Sequence, residues 1–150
     1  MICANNYLFD MKTIVVYKSF TGATKQYARW LAESLGIEAK KFSAARADMD
    51  AAETVVAMSG TYCSWMPLVS FLKKNWEMIK DKKVVVIAVG IVPPADKGSE
   101  DAFNRIPAGI RAKIKFFKVP GKMGKTPPVN NFGPMARAFL DPAIEYLRQA

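Results

Sequence analysis

The run Lys83-Val-Val-Val-Ile-Ala-Val89 is apolar at every position after its first. A strand with one wet face alternates polar and apolar residues, so an unbroken run of this kind is a strand buried on both faces. Thr54-Val-Val-Ala-Met-Ser59 and Lys12-Thr-Ile-Val-Val-Tyr17 carry the same pattern. A weaker strand is expected at Ile37–Phe42. A fifth is expected at Ile114–Val119, where Lys115 and Lys118 dilute the apolar character.

Two-sided burial requires cover on both sides, and helical periodicity stands between these runs. From Thr21 or Gly22 onward, Ala23, Tyr27, Trp30, Leu31 and Leu35 recur at helical spacing, and Gly36 is placed to close that helix. Pro67 suits a first helical turn, continued by Leu68, Phe71, Leu72, Trp76 and Ile79. Glu100–Ile106 reads as a short helix and Met135–Gln149 as a terminal one, with Asp141-Pro142 as an internal N-cap and first-turn proline. Ala44–Ala52 is read as a polar connection without a period of its own, and Pro120–Pro134 as a stretch of low order. Strands alternating with helices, the central ones apolar throughout, give an α/β domain with a parallel sheet and helices on both faces. Residues 1–10 are read as an N-terminal extension, and residues 11–150 as one domain.

Some chemistries are excluded by residue type. The chain has no histidine and two cysteines, Cys3 and Cys63. That removes a Ser-His-Asp triad, a Cys-His dyad, and zinc sites of the His or four-cysteine kind within one chain. A disulfide framework is absent too, which fits a reducing cytoplasm. A bound cofactor then becomes the simplest source of difficult chemistry.

In a parallel sheet, ligands bind beyond the carboxyl ends of the strands, near the point where strand order reverses. Three loops lie there: Lys18–Thr24, Gly60–Met66 and Gly90–Ser99. The first is the most informative. Ser19, Thr21 and Thr24 place three hydroxyls within six residues, Phe20 and Ala23 fill the remaining positions, and Gly22 allows a tight turn. A helix starts at once, so its unpaired amides and positive dipole end face the loop. The combination makes a cradle for a phosphate-bearing cofactor without a cationic side chain. Gly124-Lys125-Thr126 imitates the end of a nucleotide-binding P-loop, but Val119 stands where that motif needs glycine, and Pro127 and Pro128 follow where a helix should run.

Ser19, Thr21, Gly22 and Thr24, following a first strand that ends in Tyr17-Lys18, resemble the phosphate loop of the flavodoxin family. The resemblance spans about Lys12–Val119. It implies a flavodoxin-like three-layer sandwich with a five-stranded parallel sheet of order 2-1-3-4-5. It also implies FMN as cofactor, with residues Ser19, Phe20, Thr21, Gly22, Ala23 and Thr24 holding the phosphate. Thr61, Tyr62, Cys63, Ser64 and Trp65 would flank the isoalloxazine ring, and Gly90, Ile91 and Val92 would close its other side. Tyr62 and Trp65 are the aromatic candidates for stacking. Cys63 is read as a loop residue, with a redox thiol as the alternative.

Two departures from the family pattern matter. Ile91-Val92-Pro93-Pro94 stands where the third loop usually carries an aromatic, and the chain is basic where soluble shuttles are acidic. Its net charge is +9, with nine Lys and Arg against six Asp and Glu in residues 1–75 and thirteen against seven in 76–150. The third loop and the lysine-bearing fifth strand look more similar to the branch containing protoporphyrinogen oxidase-type flavodoxin-domain proteins.

The expectation is an FMN-binding electron-transfer protein whose partner is a redox protein or a quinone-type acceptor. The alternatives are an FMN-dependent oxidoreductase of the protoporphyrinogen oxidase-like type, or a flavin-free module contacting an anionic membrane or protein surface at the inner face of the membrane. No reading motif for nucleic acid accompanies the charge.

Overall fold

Each central strand sends alternate residues into opposite cores, and this two-sidedness organises the computed structural model, which describes residues 13–62, 64–122 and 132–149. The first strand, β1 (Thr13–Lys18), turns Ile14 and Val16 to one face and Val15 and Tyr17 to the other. The same alternation runs through β3 (Thr54–Gly60) and β4 (Lys83–Gly90), where Val55, Ala57, Val84 and Val86 oppose Val56, Met58, Val85 and Ile87. With β2 (Ala39–Lys41) and β5 (Ile114–Pro120), these strands form one parallel sheet of order β2-β1-β3-β4-β5. This is the flavodoxin-like architecture that the sequence resemblance implies. Pairing runs in register from Thr13 opposite Thr54 to Lys18 opposite Ser59, and from Thr54 opposite Lys83 to Gly60 opposite Val89. All three central strands therefore finish at one edge.

One face is covered by α1 (Ala23–Leu35) and α6 (Asp141–Arg148). Tyr27, Ala28 and Leu31 are fully buried there, on the stripe that the periodicity marks, while Trp30 stays half-buried at its margin. Gly36 ends α1 in a left-handed conformation, its region's amides returning to Ala32 and Glu33. The other face is covered by α2 (Arg46–Ala51), α3 (Pro67–Ile79), α4 (Lys97–Asn104) and α5 (Ala108–Arg111). A fully buried Leu, Ile or Val contributes roughly 1.5–3 kcal/mol, so these two cores are what holds the sheet between its helices.

Four elements differ from the sequence expectation. Phe42–Ala44 is a 3-10 turn that takes Phe42 from the expected strand Ile37–Phe42, and Arg46–Ala51 is a helix within Ala44–Ala52, where a polar connection is expected. That short helix buries only Met49, with Ala45 buried at its N-cap, too little apolar content to show a period. The terminal segment is a 3-10 turn at Arg137–Leu140 followed by α6, with Leu140 rather than Asp141 at the cap position. A one-turn helix, α5, precedes β5. The proposed extension at residues 1–10, the Gly124-Lys125-Thr126 motif and most of Gly121–Asn131 lie outside the described residues.

No helix among the described residues is long and apolar enough to cross a membrane.

Candidate functional site

Strand order reverses at β1: the chain leaves it outward to β2, then returns to β3 on its other side. The crevice between the carboxyl ends of β1 and β3 is therefore the place a ligand is expected. The Ser19–Thr24 loop stands on one side of it. Gly22 has φ 91°, a left-handed conformation that a side chain would strain, and open space surrounds it. Its amide donates to Ser19 Oγ at 3.1 Å, which folds the loop back on itself. The N-cap of α1 is Gly22, which has no side chain to cap the helix, so among the described residues no capping side chain takes its first amides beside this loop.

The three hydroxyls of this loop have different surroundings. Ser19 accepts the Gly22 amide. Thr21 is exposed and its Oγ1 donates to the Lys122 carbonyl at 3.2 Å, drawing in the connection that follows β5. Thr24 is buried, on the first turn of α1.

The second loop is a tight turn. Tyr62 and Trp65 form an antiparallel bridge, the Tyr62 amide donating to Trp65 O at 2.6 Å and the Trp65 amide to Tyr62 O at 3.0 Å. Their rings come within 5.6 Å, and Phe20 joins them at 5.3 Å from Tyr62 and 6.4 Å from Trp65. Phe20 and Trp65 are 57% and 46% exposed, an apolar patch standing in solvent at the mouth of the crevice. Burial raises the Tyr62 hydroxyl pKa, and a bond to the Phe20 backbone partly offsets this. Ser64 lies on the outer side, where Arg105 donates to its Oγ at 3.4 Å. Cys63 lies outside the described residues.

Thr61 supplies the one orphan. Its side chain is buried and its Oγ1 has no hydrogen-bond partner among the described residues, while its amide is fixed by Val89 O at 2.8 Å. An unpaired buried hydroxyl costs about 1–3 kcal/mol, so it marks a place where a polar ligand atom would be stabilising. Thr61 lines a cavity with Thr21, Ala23, Thr24, Tyr62, Gly90 and Ile91. Residues of the first, second and third loops thus line one cavity. The cavity itself measures about 10 Å³, room for one water at most. Tyr62 is the aromatic residue that lines it. Val92 is half-buried and outside this group, its carbonyl accepting from Ser99 at 3.5 Å.

Behind the third loop stands a residue that sequence reading assigns only to a strand. Lys118 of β5 lies opposite Ala88 of β4, and its Nζ donates to Ser99 Oγ at 2.9 Å. A Cβ placed on Gly90 would come within 3.2 Å of Lys118 Cε and 3.4 Å of Thr61 Cβ, so glycine here lets the lysine and the orphan threonine pack from both sides. Burial pushes the Lys118 pKa down to about 8, with the charge of Asp96 working in the other direction. The signal available in sequence is a lysine inside an apolar run, next to the end that carries the ligand loops.

Tyr27 is the second residue whose role the periodicity hides. Its hydroxyl donates to Pro120 O and accepts the Ala136 amide at 3.3 Å, tying α1 to the end of β5 and to the C-terminal segment. Burial raises its pKa to about 12.

The flavodoxin domain model matches residues 14–126 of this chain, covering the sheet and all of these loops. The chain belongs to the flavodoxin domain family. No curated protein matches it by sequence. Among solved structures, it is similar to a short-chain flavodoxin associated with a non-canonical PDU bacterial microcompartment, at 18% identity and TM-score 0.51, covering 91% of this chain and 99% of that one. It is also similar to a flavodoxin from the domain Archaea, at 17% identity and TM-score 0.50, covering 81% and 88%. A putative flavoprotein from Bacteroides uniformis aligns at 15% identity and TM-score 0.50, covering 78% and 95%. These structural likenesses establish the shared fold. Within this flavodoxin domain, the features that fit a phosphate-bearing flavin are its own: uncapped α1 amides, an unhindered Gly22 and the orphan Thr61 hydroxyl.

Proposed function

We propose that this flavodoxin domain binds one FMN in the β1–β3 crevice and passes electrons between that flavin and a redox partner protein or a quinone-type acceptor. The observation that carries the proposal is the buried, orphan Thr61 Oγ1, on a residue that lines one small cavity with Thr21, Thr24 and Gly90. The first amides of α1 would receive the phosphate, with Ser19, Thr21 and Thr24 around it. Family membership supports the same reading.

A bound flavin supplies the electron chemistry, accepting and releasing electrons at its ring. The protein's part is binding, positioning and shielding. The cavity is far smaller than a flavin ring, so the Tyr62 side chain that lines it would have to move aside for the ring. Tyr62 and Trp65 would then lie against the ring, and exposed Phe20 and Trp65 would provide the apolar edge that a partner meets. The Lys118 ammonium, charged below pH about 8, favours negative charge on a group held beside Gly90. With no histidine in the chain, no imidazole is available for proton transfer at neutral pH.

The test is a visible absorption spectrum of purified protein, before and after incubation with FMN and removal of free ligand. Retained flavin bands support the reading. In the Thr21→Ala, Thr24→Ala double variant, FMN affinity falls at least about tenfold while the domain stays folded, on the scale of one lost hydrogen bond to a charged group. A protein that never retains FMN refutes the proposal and favours a flavin-free module on the same fold.

A further inference from the structure

Lys118 is a charge set where folding alone gains nothing from one. On β5 it alternates onto the face of Ile114 and Phe116, which pack on the core that Val86 and Ala88 join. Its ammonium meets Ser99 Oγ at 2.9 Å, in the first turn of α4. That is the positive end of the helix dipole, which disfavours a cation.

The same side chain backs the cavity of the three loops. Lys118 Nζ lies 3.3 Å from where a Cβ on Gly90 would stand, and Gly90 and Thr61 both line that cavity. Among the described residues no carboxylate lines it, whereas Lys122 does, from an exposed position. The charge acting on Lys118 from α4 is that of Asp96, at the N-cap. Around Gly90, β4 and the second loop bring only uncharged residues to it. An amine held between an apolar layer and a helix N-terminus gives up its proton readily, and a new negative charge nearby restores it. Burial already brings the pKa from 10.5 to about 8. In a chain without histidine, that puts a titrating group near neutral pH behind the flavin crevice.

We infer that Lys118 couples reduction of a flavin held in the crevice to uptake of a proton, its ammonium favouring the reduced, anionic ring. The inference rests on the FMN reading above. Bound FMN accepts two electrons from a redox protein, in two transfers, and one proton from solvent, and becomes an anion. The neutral Lys118 amine takes a second proton from solvent on its lone pair. Only the donor protein is oxidised. Where Lys118 is already charged, two electrons enter with one proton; where it is neutral in the oxidised protein, they enter with two.

An opposite charge nearby raises a lysine pKa by about one unit or more. By linkage, the charged lysine then favours reduced over oxidised FMN about tenfold. The experiment is a reductive titration of the FMN-loaded full chain with dithionite and indicator dyes, from pH 6.5 to 10. Each proton taken up with two electrons lowers the midpoint by about 30 mV per pH unit, a tenfold change converted for a two-electron couple. The parent should show a steeper fall between about pH 8 and 9 than on either side. Lys118→Met should lack that steepening. At pH 6.5 its preference for reduced over oxidised FMN should be about tenfold weaker, a midpoint lower by about 30 mV. By pH 10 the two proteins should coincide. Lys115→Met removes an equal charge from an exposed site on the same strand, beside Phe117 and Tyr146, and should change the preference by less than about threefold. The carbon NMR signal of Lys118 Cε reads the proton directly, and its titration midpoint should rise by about one pH unit when the bound flavin is reduced.

A side chain that only braces the third loop would change FMN affinity alike in both oxidation states and leave the pH profile alone. A parent profile parallel to that of Lys118→Met, or a Lys118 midpoint unmoved by reduction, overturns the inference, while retained flavin bands leave the FMN reading standing. An equal shift in Lys115→Met also overturns it, by assigning the effect to the general field of a basic chain. A chain that retains no flavin overturns both readings, and its absorption spectrum shows this before any titration.

Discussion

Lys118→Met should stabilise the domain at neutral pH and lose that advantage in alkali. Lys118 is held under the third loop with its ammonium on Ser99 Oγ at 2.9 Å, and burial lowers its pKa from 10.5 to about 8. The unfolded chain keeps the higher value, so between pH 8 and 10.5 it binds more protons than the folded one, and stability rises with pH across that window. Below pH 8 both states are protonated, and folding carries the whole cost of desolvating the charge. A shift of this size corresponds to a ceiling of about 3 kcal/mol. The side chain is only partly buried and solvent screens it, which reduces the cost to about 1–2 kcal/mol. Methionine keeps the aliphatic stem and removes the charge, but forfeits the bond to Ser99, about 0.5–1 kcal/mol. The variant should therefore gain about 1 kcal/mol at pH 6.5, or about 2–4 °C in melting temperature for a domain of this size. By pH 10 the gain should vanish or reverse. Urea unfolding followed by circular dichroism at pH 6.5, 8 and 10 measures it, and every other titrating group is common to both proteins. A difference independent of pH, or a variant less stable at pH 6.5, would refute the reasoning that burial of this charge is costly.

Trp65→Ala should leave stability within about 0.5 kcal/mol, because the side chain is 46% exposed. It should weaken FMN binding severalfold and raise bound-flavin fluorescence in a titration; indifference of both readouts would place the ring elsewhere. Tyr27→Phe should cost about 1–3 kcal/mol in urea unfolding, since the Pro120 carbonyl and Ala136 amide lose a buried partner. Hydrogen exchange at Ala136 should accelerate with it, and protection equal to that of the parent would mean the hydroxyl does not hold the segment.

The sheet was legible because its strands are unusually uniform. Val84 to Val89 leave no polar face, so two covered faces and parallel pairing follow from the residues alone. The Ser19–Thr24 loop was legible as a tight turn into a helix, because Gly22 takes the left-handed conformation there and α1 starts at Ala23. Short elements were not. The helix Arg46–Ala51 buries Met49 alone among exposed charged residues, and one buried position cannot establish a period. Contacts between distant residues were not legible either. Thr21 meets Lys122, and Tyr27 meets Pro120 and Ala136, through bonds that span about a hundred positions and leave no local pattern. Lys118 was visible only as a flaw in a strand. Its meaning depends on Gly90 and Ser99 packing against it, which no single stretch of sequence contains.

The aromatic missing from the third loop takes on a physical sense beside that lysine. The rings of this crevice, Phe20, Tyr62 and Trp65, all stand on the side of the first two loops. On the far side Ile91 offers branched aliphatic contact, and a partly buried cation stands behind Gly90. A flat ring bound here would stack on one face only, so less of its affinity would come from π-contact and more from charge and from the phosphate cradle. Electrostatic contributions weaken with salt while apolar stacking does not. A domain arranged this way should therefore hold a flavin with a marked salt dependence, steeper in the parent than in Lys118→Met. If the two proteins show the same salt dependence of FMN affinity, the cation behind Gly90 takes no part in holding the ligand.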